Sequence, residues 1–348
     1  MDLTRGTFRA PELVDAVARM RKAAETALHH DRTHVSEVAV VSNVESEFYM
    51  GYRRTEANKM SLLLYHQQMG AFYRAGAPFD WYLAEDLDAV AGRKYKVVVF
   101  LDCQYLTGKQ KSAVDAMKSD GRTLVFFHAP GYVSETGLSR ERMEDTCGVK
   151  MKKETVRGVL SAVEAGTGRE WGCGLDRVID GLEDRPRGVR HRVPGTAQRG
   201  LFLPAEGDVL MTGVGNLKGV PVAVERRRPD WTAVFSALPA LSPDVLRRLY
   251  VNAGVHVYTD SDVVLSANGS WIMLHTRASG HYIVRLPEKA MRVTDVTTDK
   301  VVSENTDILT LPLEKFQTSI LLVERENFRG GAVDSNVGFT NQTKRSQK

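Results

Sequence analysis

Two side chains could support nucleophilic catalysis, Cys103 and His128. Cys103 follows the apolar run Val97–Leu101, and His128 follows the apolar run Leu124–Phe127. Such runs predict buried parallel strands, and ligands of open α/β sheets bind at the carboxyl ends of these strands. A reactive thiolate needs a nearby histidine or a helix amino terminus, which the helix expected to begin after Thr107 could supply. A buried, inert cysteine is the more common case, and the sequence favours it.

The turn within TLVFFHAPG (123–131) carries no nucleophile. Enzymes that attack through a Cys or Ser at a strand-to-helix turn have a GxCxG or GxSxG pattern there. Neither pattern occurs in this sequence. The turn offers His128 instead, and Pro130 lacks the backbone N–H that an oxyanion-binding turn would use. These residues predict a structural turn.

A polar loop, ESEFYMGYRR (45–54), follows the predicted strand Val38–Val41. Loops at the carboxyl edge of such a sheet often carry function. The side chains that could line the rim of a ligand pocket are Glu45, Ser46, Glu47, Tyr49 and Arg53. The same composition suits a solvated loop, and the residues alone leave both alternatives open.

Four aromatic residues could stack on sugar rings, namely Trp81, Tyr82, Trp231 and Trp271. A tryptophan buried in a β-rich core is the more common arrangement. The structural role is thus favoured, and carbohydrate binding by these aromatic residues is kept as an alternative function.

Composition and charge argue against several partners. A net charge of +4 is too small to indicate a nucleic acid, and no apolar run approaches the ~18 residues that a membrane span needs. Cys103, Cys147 and Cys173 form no CxxC pattern, and the nine histidines show no metal-ligand spacing, so we expect neither a metal nor a cofactor. The unpaired cysteines and the lack of a signal peptide predict a cytoplasmic protein.

Helices and strands alternate over residues 36–130, after an amphipathic helix predicted over residues 11–30. Four apolar runs predict strands, and helices are predicted over residues 61–76 and after Thr107. This alternation predicts an α/β fold with a parallel sheet and helices on both faces. Further on, a hairpin is predicted with its turn at Arg228–Asp230, and a helix capped by Ser242 follows.

From residue 255 the sequence changes to short apolar runs divided by turn signals. This pattern predicts a small antiparallel β-sandwich. The polar, glycine-rich end predicts a disordered tail. The expected organisation is a helical lead-in over residues 1–30, a sheet domain over 31–254, a sandwich over 255–325 and a tail over 326–348.

The chain also resembles a known family, through four phrases in a fixed order. They are DRTHVSEVAVVSNVESEFY, LLLYHQQMGAFYRAGAPFDWYLAEDL, KYKVVVFLDCQYLTGKQKSAVDAMKSDGRTLVFFHAPGY and LPALSPDVLRRLYVNAGVHVYTDSDVVLSANGSWIMLHT. Their order resembles the region after the catalytic barrel in family 42 glycoside hydrolases, the β-galactosidase type, and their uncharacterised relatives. The resemblance extends over about residues 30–325, and residues 1–28 look like the end of the barrel and its final helix.

This resemblance implies a flavodoxin-like trimerisation domain, similar to class I glutamine amidotransferases but without a working catalytic triad. It implies a non-catalytic chain that forms a homo-oligomer, with a trimer expected, and helps to shape the rim of an active site. The two catalytic glutamates of the family lie on its barrel, so the resemblance also implies a barrel partner upstream or in trans, and galactosides as ligands.

Two alternatives to this interpretation remain. The chain could be an independent amidotransferase-like hydrolase that uses Cys103, or a stand-alone carbohydrate-binding protein. Sensitivity to thiol alkylation would identify the first, and titration with galactosides would identify the second.

Overall fold

The computed structural model describes residues 11–49, 63–157, 161–172, 198–239 and 241–325. Four sequence predictions lie wholly or partly outside these residues: the first ten residues of the lead-in, the rim position Arg53, the cysteine Cys173 and the tail over 326–348.

The strands, in chain order, are β1 (Val38–Ser42), β2 (Asp80–Leu83), β3 (Val97–Phe100), β4 (Arg122–Phe127), β5 (Val133–Ser134), β6 (Gly137–Leu138), β7 (Met151–Arg157), β8 (Ser161–Glu164), β9 (Glu170–Gly172), β10 (Gln198–Pro204), β11 (Asp208–Gly213), β12 (Pro221–Arg227), β13 (Trp231–Ser236), β14 (Val263–Ala267), β15 (Trp271–Thr276), β16 (Gly280–Asp295), β17 (Lys300–Leu313) and β18 (Thr318–Glu324). The α-helices are α1 (Pro11–Ala27), α2 (Gln68–Arg74), α3 (Leu87–Gly92), α4 (Gly108–Ala116), α5 (Arg140–Cys147) and α6 (Pro243–Asn252). A π-helical turn, Leu63–Gln67, precedes α2, and 3₁₀ turns form at Val44–Tyr49, Ala84–Asp86 and Gly215–Leu217.

Nine strands form a mixed sheet in the order β2-β1-β3-β4-β13-β12-β11-β8-β9. The five strands from β2 to β13 run parallel to one another, as the apolar runs predict. Strands β1 and β3 and most of β4 are buried because the central strands of a parallel sheet are covered on both faces.

The helices beside this sheet fall into two packed groups. Helix α2 packs against α6, whereas α3 packs against α4 and α4 packs against α5. Right-handed crossovers that run in opposite directions along a sheet place their helices on opposite faces. The predicted helices on both faces are therefore present.

Two helix caps follow the sequence prediction. The Thr107 hydroxyl accepts from the Gln110 N–H at 3.1 Å, and the Gln110 side chain accepts from the Thr107 N–H at 2.9 Å. At α6, the Ser242 hydroxyl accepts from the Val245 N–H at 3.2 Å. Both caps satisfy backbone donors that the first helical turn leaves without a partner.

The sheet is mixed rather than parallel throughout, which corrects the sequence expectation. Strands β12 and β13 pair antiparallel across the predicted turn at Arg228–Asp230, because so short a connection can join only antiparallel strands. Strands β11, β8 and β9 extend this antiparallel half of the sheet.

Residues 263–324 form a separate antiparallel sheet in the order β14-β15-β18-β16-β17. The predicted sandwich implies two sheets, but the described residues of this region form one. Its long hairpin β16–β17 has a break in register between Arg285 and Ala290. Apolar side chains from both parts of the hairpin share one buried cluster with β14, β15 and β18, so this single sheet supplies the buried core.

The segment between α2 and β2 closely approaches the segment before β14 at Gly76. The Gly76 carbonyl accepts from the Tyr258 N–H at 2.8 Å, and its backbone is left-handed with φ +87°. A Cβ at this position would lie 2.0 Å from the Thr259 carbonyl oxygen, so only glycine permits this approach.

Helix α1 confirms the predicted amphipathic helix. Its carboxyl end contacts the second sheet through Ala23, which lies in a small cluster with Trp271. The larger apolar stripe, with Leu13, Val17 and Met20, is exposed. No helix of the described residues has the length and apolar character needed to cross a membrane.

Candidate functional site

The carboxyl ends of β1 and β3 lie side by side where the strand order reverses. The connection after β1 leads outward to β2, and the chain then returns to β3 on the other side of β1. Ligands of open α/β sheets bind at such a point because the two connections diverge to opposite faces. Asn43 follows β1 here, and Asp102 lies just after β3.

Asp102 is a fully buried carboxylate at this edge. Its Oδ1 accepts from the Asn43 N–H at 2.7 Å, and its Oδ2 accepts from the Tyr65 hydroxyl. Burial raises the pKa of Asp102 to about 6, although the bonds from Tyr65 and Asn43 act in the opposite direction. Burial and then the charge of Asp102 also raise the pKa of Tyr65. The carboxylate is thus enclosed by hydrogen-bond donors of the chain itself.

The same network fixes the loop after β1. The Asn43 amide donates to the Tyr105 carbonyl at 2.6 Å, and its oxygen accepts from the Glu45 N–H at 3.0 Å. The buried hydroxyl of Ser46 accepts from the Tyr105 N–H at 3.1 Å. The Tyr49 ring stacks on the Tyr105 ring at 4.6 Å. These contacts hold residues 43–49 against the segment after β3.

The rim candidates therefore occupy different positions in this loop. Ser46 is buried and holds the backbone, whereas Glu45 and Tyr49 are exposed and Glu47 is half-buried. The structure adds Phe48, whose side chain is 82% exposed. An aromatic side chain this exposed indicates a surface that another molecule can cover.

Cys103 lies under this edge with its side chain fully enclosed. Its Sγ is 3.9 Å from the Val41 carbonyl oxygen. Burial, followed by the charge of Asp102, raises the pKa of the Cys103 thiol well above its ordinary value. The amino terminus of α4 is occupied by Thr107 and Gln110, and its Gly108 N–H donates to Glu135. This environment opposes a reactive thiolate.

His128 lies at the end of β4, the neighbour of β3. It has a left-handed backbone with φ +60°, and its N–H donates to the Ser236 carbonyl at 2.8 Å. Gly131 also has a positive φ, of +66°, and a Cβ there would lie 2.8 Å from the Thr146 hydroxyl. The chain then enters the two-residue strand β5 rather than a helix. The turn lacks the strand-to-helix geometry on which an exposed nucleophile depends.

The aromatic candidates lie in three places. Trp271 packs beside Ala23 of α1, and Trp231 packs at the edge of the main core with Lys118 over its ring at 5.5 Å. Trp81 and Tyr82 line one cavity, and the Trp81 indole donates to the Ser42 hydroxyl at 3.0 Å. Within the described ranges, no three or more His, Cys, Asp or Glu side chains are grouped so that they could hold a metal ion.

Sequence reasoning located this edge but missed three residues that organise it, Asn43, Tyr65 and Asp102. A polar residue just after an apolar run marks the end of a buried strand, and Asn43 and Asp102 both carry that signal. Tyr65 lies in the π-helical turn before α2, and no local pattern indicates that it reaches Asp102.

No family model matches the chain, and no curated protein matches it. Solved structures do match. Gan42B, a GH42 β-galactosidase from G. stearothermophilus, is 13% identical with a TM-score of 0.58, and the match covers 90% of this chain and 43% of that chain. The β-galactosidase from Bacillus circulans sp. alkalophilus is 19% identical with a TM-score of 0.53, covering 89% and 44%.

The polyextremophilic β-galactosidase from the Antarctic haloarchaeon Halorubrum lacusprofundi is 16% identical with a TM-score of 0.52, and the match covers 86% of this chain and 42% of that chain. The chain therefore shares its fold with part of these β-galactosidases and spans less than half of their length.

Proposed function

We propose that the chain is the non-catalytic portion of a β-galactosidase-like glycoside hydrolase. The observation that carries the proposal is the extent of the likeness, which covers 90% of this chain but only 43% of Gan42B. In this proposal a barrel domain, upstream or in trans, supplies the catalytic carboxylates and binds the galactoside, and the assembled protein is cytoplasmic.

The proposed fold type is flavodoxin-like and amidotransferase-like. Its support is the order of the five parallel strands, in which the second strand lies outside the first and the third, fourth and fifth follow on the other side. The proposed units are a lead-in over residues 1–30, this sheet domain over 31–254, a second, antiparallel β domain over 255–325 and a tail over 326–348.

The proposed role is oligomerisation and shaping the rim of the active site. A closed trimer needs two different patches on each subunit. One proposed patch is the loop after β1, where Phe48 and Tyr49 are exposed beside Glu45 and Glu47, and Arg53 continues the same loop in sequence. The exposed apolar stripe of α1 is the surface that we assign to the barrel.

A hydrolase that uses Cys103 is not favoured. Its thiol is enclosed, and its pKa is raised by burial. In the native chain we expect iodoacetamide to modify Cys103 on the order of 100-fold more slowly than in the urea-unfolded chain, as peptide mass spectrometry would measure. Rapid modification of native Cys103 that also abolishes turnover of an amide or ester would favour the hydrolase instead.

Sedimentation velocity on the full chain tests the proposed assembly. We expect a species of three times the 38.7 kDa chain mass, and we expect Phe48→Glu to shift it to the monomer. Leu138→Glu is the matched control because Leu138 is also an exposed apolar residue, on the short strand β6. A monomeric wild-type chain, or equal effects of the two variants, would contradict the assembly role.

A second measurement tests whether the chain alone hydrolyses a β-galactoside. The purified chain should not hydrolyse nitrophenyl β-galactoside, because the proposal places both catalytic carboxylates on the barrel. Turnover that co-purifies with the chain and is lost in a variant of the chain itself would overturn the proposal.

A further inference from the structure

A cavity of about 480 Å³ lies between the two sheets, away from the carboxyl edge of β1 and β3. One wall is β2, the outermost strand of the mixed sheet, and the opposite wall is β14, the outermost strand of the second sheet. Its volume lies in the range of about 300–1,000 Å³ that is typical of small-molecule sites. The close approach at Gly76 fixes the spacing of the two walls.

A chain of hydrogen bonds organises the β2 wall. Asp80 accepts from the Tyr95 hydroxyl at 2.5 Å through Oδ2, and its Oδ1 lies 3.1 Å from Nδ1 of the exposed His34. The Tyr95 and Tyr82 hydroxyls lie 2.7 Å apart. Asp80, the one carboxylate among the described residues that line this cavity, thus has a partner on each oxygen.

Arg93 is held at the mouth of this network. Its Nη1 donates to the Tyr82 hydroxyl at 2.7 Å and to the Tyr95 hydroxyl at 3.3 Å. Among the described residues, its Nε and Nη2 have no hydrogen-bond acceptor. These two donors form the edge of a guanidinium that binds a carboxylate or phosphate in a bidentate manner.

The charges that line the cavity do not balance. Arg32 and Arg93 contribute two fixed positive charges, and Asp80 contributes one negative charge. Neither arginine forms an ion pair with a carboxylate of the part of the chain that the structure describes. A small anion bound in the cavity would neutralise the excess positive charge.

The rest of the lining suits a ring that carries hydroxyl groups. The Tyr73 and Phe79 rings meet edge to face at 5.0 Å and give an aromatic surface for the apolar face of a sugar. Ser36 on one side and Ser266 and Asn268 on the other add polar groups. A few polar groups beside aromatic rings are typical of pockets that bind and orient small ligands.

We propose that this cavity binds a small anionic sugar, with its carboxylate or phosphate on Arg93 and Arg32 and its ring against Tyr73 and Phe79. The inference does not depend on the proposed function.

Two outermost strands facing one cavity also suit a peptide that adds a strand to a sheet edge. The unmatched guanidinium groups and the aromatic wall favour the sugar, because a strand added through its backbone needs neither. A peptide is therefore an outcome of the test that would overturn the proposal.

Isothermal titration of the full chain provides the test, with D-galacturonate, galactose 6-phosphate and neutral D-galactose as probes. We expect saturable binding of at least one anionic sugar, and binding of galactose weaker by about tenfold or more. Whichever of the two anions binds more tightly shows whether the site prefers a carboxylate or a phosphate. A ¹⁵N spectrum recorded with the same probes should move the signals of Tyr73, Phe79 and Arg93.

Three variants locate the binding. Arg93→Gln should weaken binding of the anion by about tenfold or more, and Arg93→Lys should restore only part of it because an ammonium cannot form the fork. Arg32→Gln changes an exposed side chain outside the hydrogen-bond network, so it tests the charge without endangering the fold. Arg21→Gln is the matched control, on the exposed face of α1.

The proposal is overturned by any of three results: equal affinity for galactose and both anions, no saturable binding of any probe, or equal loss in Arg93→Gln and Arg21→Gln. Signals that move only with a strand-forming peptide would also reject it. None of these results tests the proposed oligomer or the expected lack of galactoside hydrolysis. Sedimentation velocity and the nitrophenyl β-galactoside assay test those separately.

Discussion

Two aspartates in this chain each accept a tyrosine hydroxyl, but their surroundings differ. Asp102, at the carboxyl edge of β1 and β3, is fully buried and is enclosed by Tyr65 and Asn43. Asp80, on the outermost strand β2, has an exposed histidine as its second partner and lines an open cavity. The first network closes on itself and holds the chain together, whereas the second leaves donors for a ligand.

The comparison shows that position in the fold does not by itself identify a binding site. The reversal of strand order is where ligands of such sheets bind, yet here the chain's own groups occupy it. The guanidinium of Arg93, which has no carboxylate partner among the described residues, lies instead beside the edge strand β2. A site can bind a ligand only if some of its polar groups are not already hydrogen-bonded within the chain.

Removal of Asn43 should give the largest effect on stability. Asn43→Ala leaves the Tyr105 carbonyl and the Glu45 N–H without partners in a buried region. We expect the free energy of unfolding to fall by about 2–4 kcal/mol, as urea denaturation would measure. Asn252→Ala, at an exposed position near the end of α6, is the control and should change it by less than about 0.5 kcal/mol. Equal losses would show that the network is not structural.

The pH dependence of stability should distinguish the enclosed aspartate. Because burial raises the pKa of Asp102 to about 6, the native state binds this proton more tightly than the unfolded state does. The contribution of Asp102 to stability therefore falls as the pH rises from about 4 to about 6, and stays constant above that range.

Asp102→Asn removes the ionisable carboxyl, so the variant measures how much the titration of Asp102 changes the free energy of unfolding. Relative to wild type, the variant should gain about 2–3 kcal/mol between pH 4 and pH 7, as urea denaturation at each pH would measure. Asp86→Asn, at an exposed site, is the matched control for the substitution itself. A difference between Asp102→Asn and wild type that stays constant with pH would contradict the raised pKa.

The two tyrosines give the most direct comparison and the smallest effects. Tyr65→Phe leaves Oδ2 of Asp102 without its donor in a buried site, and should cost about 1–3 kcal/mol at neutral pH. Tyr95→Phe should cost only about 0.5–1 kcal/mol, because water in the cavity can take the place of the hydroxyl at Asp80. Equal losses in urea denaturation would mean that Asp80 is as enclosed as Asp102.

The sequence by itself determined the local elements. The apolar run that forms β3 predicts a buried strand, Thr107 and Ser242 begin the helices that they are expected to cap, and the turn at Arg228–Asp230 joins the expected hairpin. These features depend on propensities and hydrogen bonds among residues close together in the chain, so one sequence is enough to indicate them.

The tertiary structure decided how those elements meet. Periodicity predicts that α1 is amphipathic, but only packing shows that its larger apolar stripe stays exposed and that Ala23 faces the second sheet. The sequence placed Cys103 at a strand end, and only the tertiary structure shows that its side chain is enclosed. The strands of residues 263–324 likewise form one sheet where two are expected.

The cavity is the clearest case of what local sequence does not contain. Arg32, Tyr73, Arg93 and Ser266 are far apart in the chain, and no motif connects them. They meet because β2 and β14 are edge strands of the two sheets, and the segments that lead into these strands contact each other at Gly76. Contacts of this kind arise from the packing of whole sheets, whereas sequence patterns report only which way each residue faces along its own element.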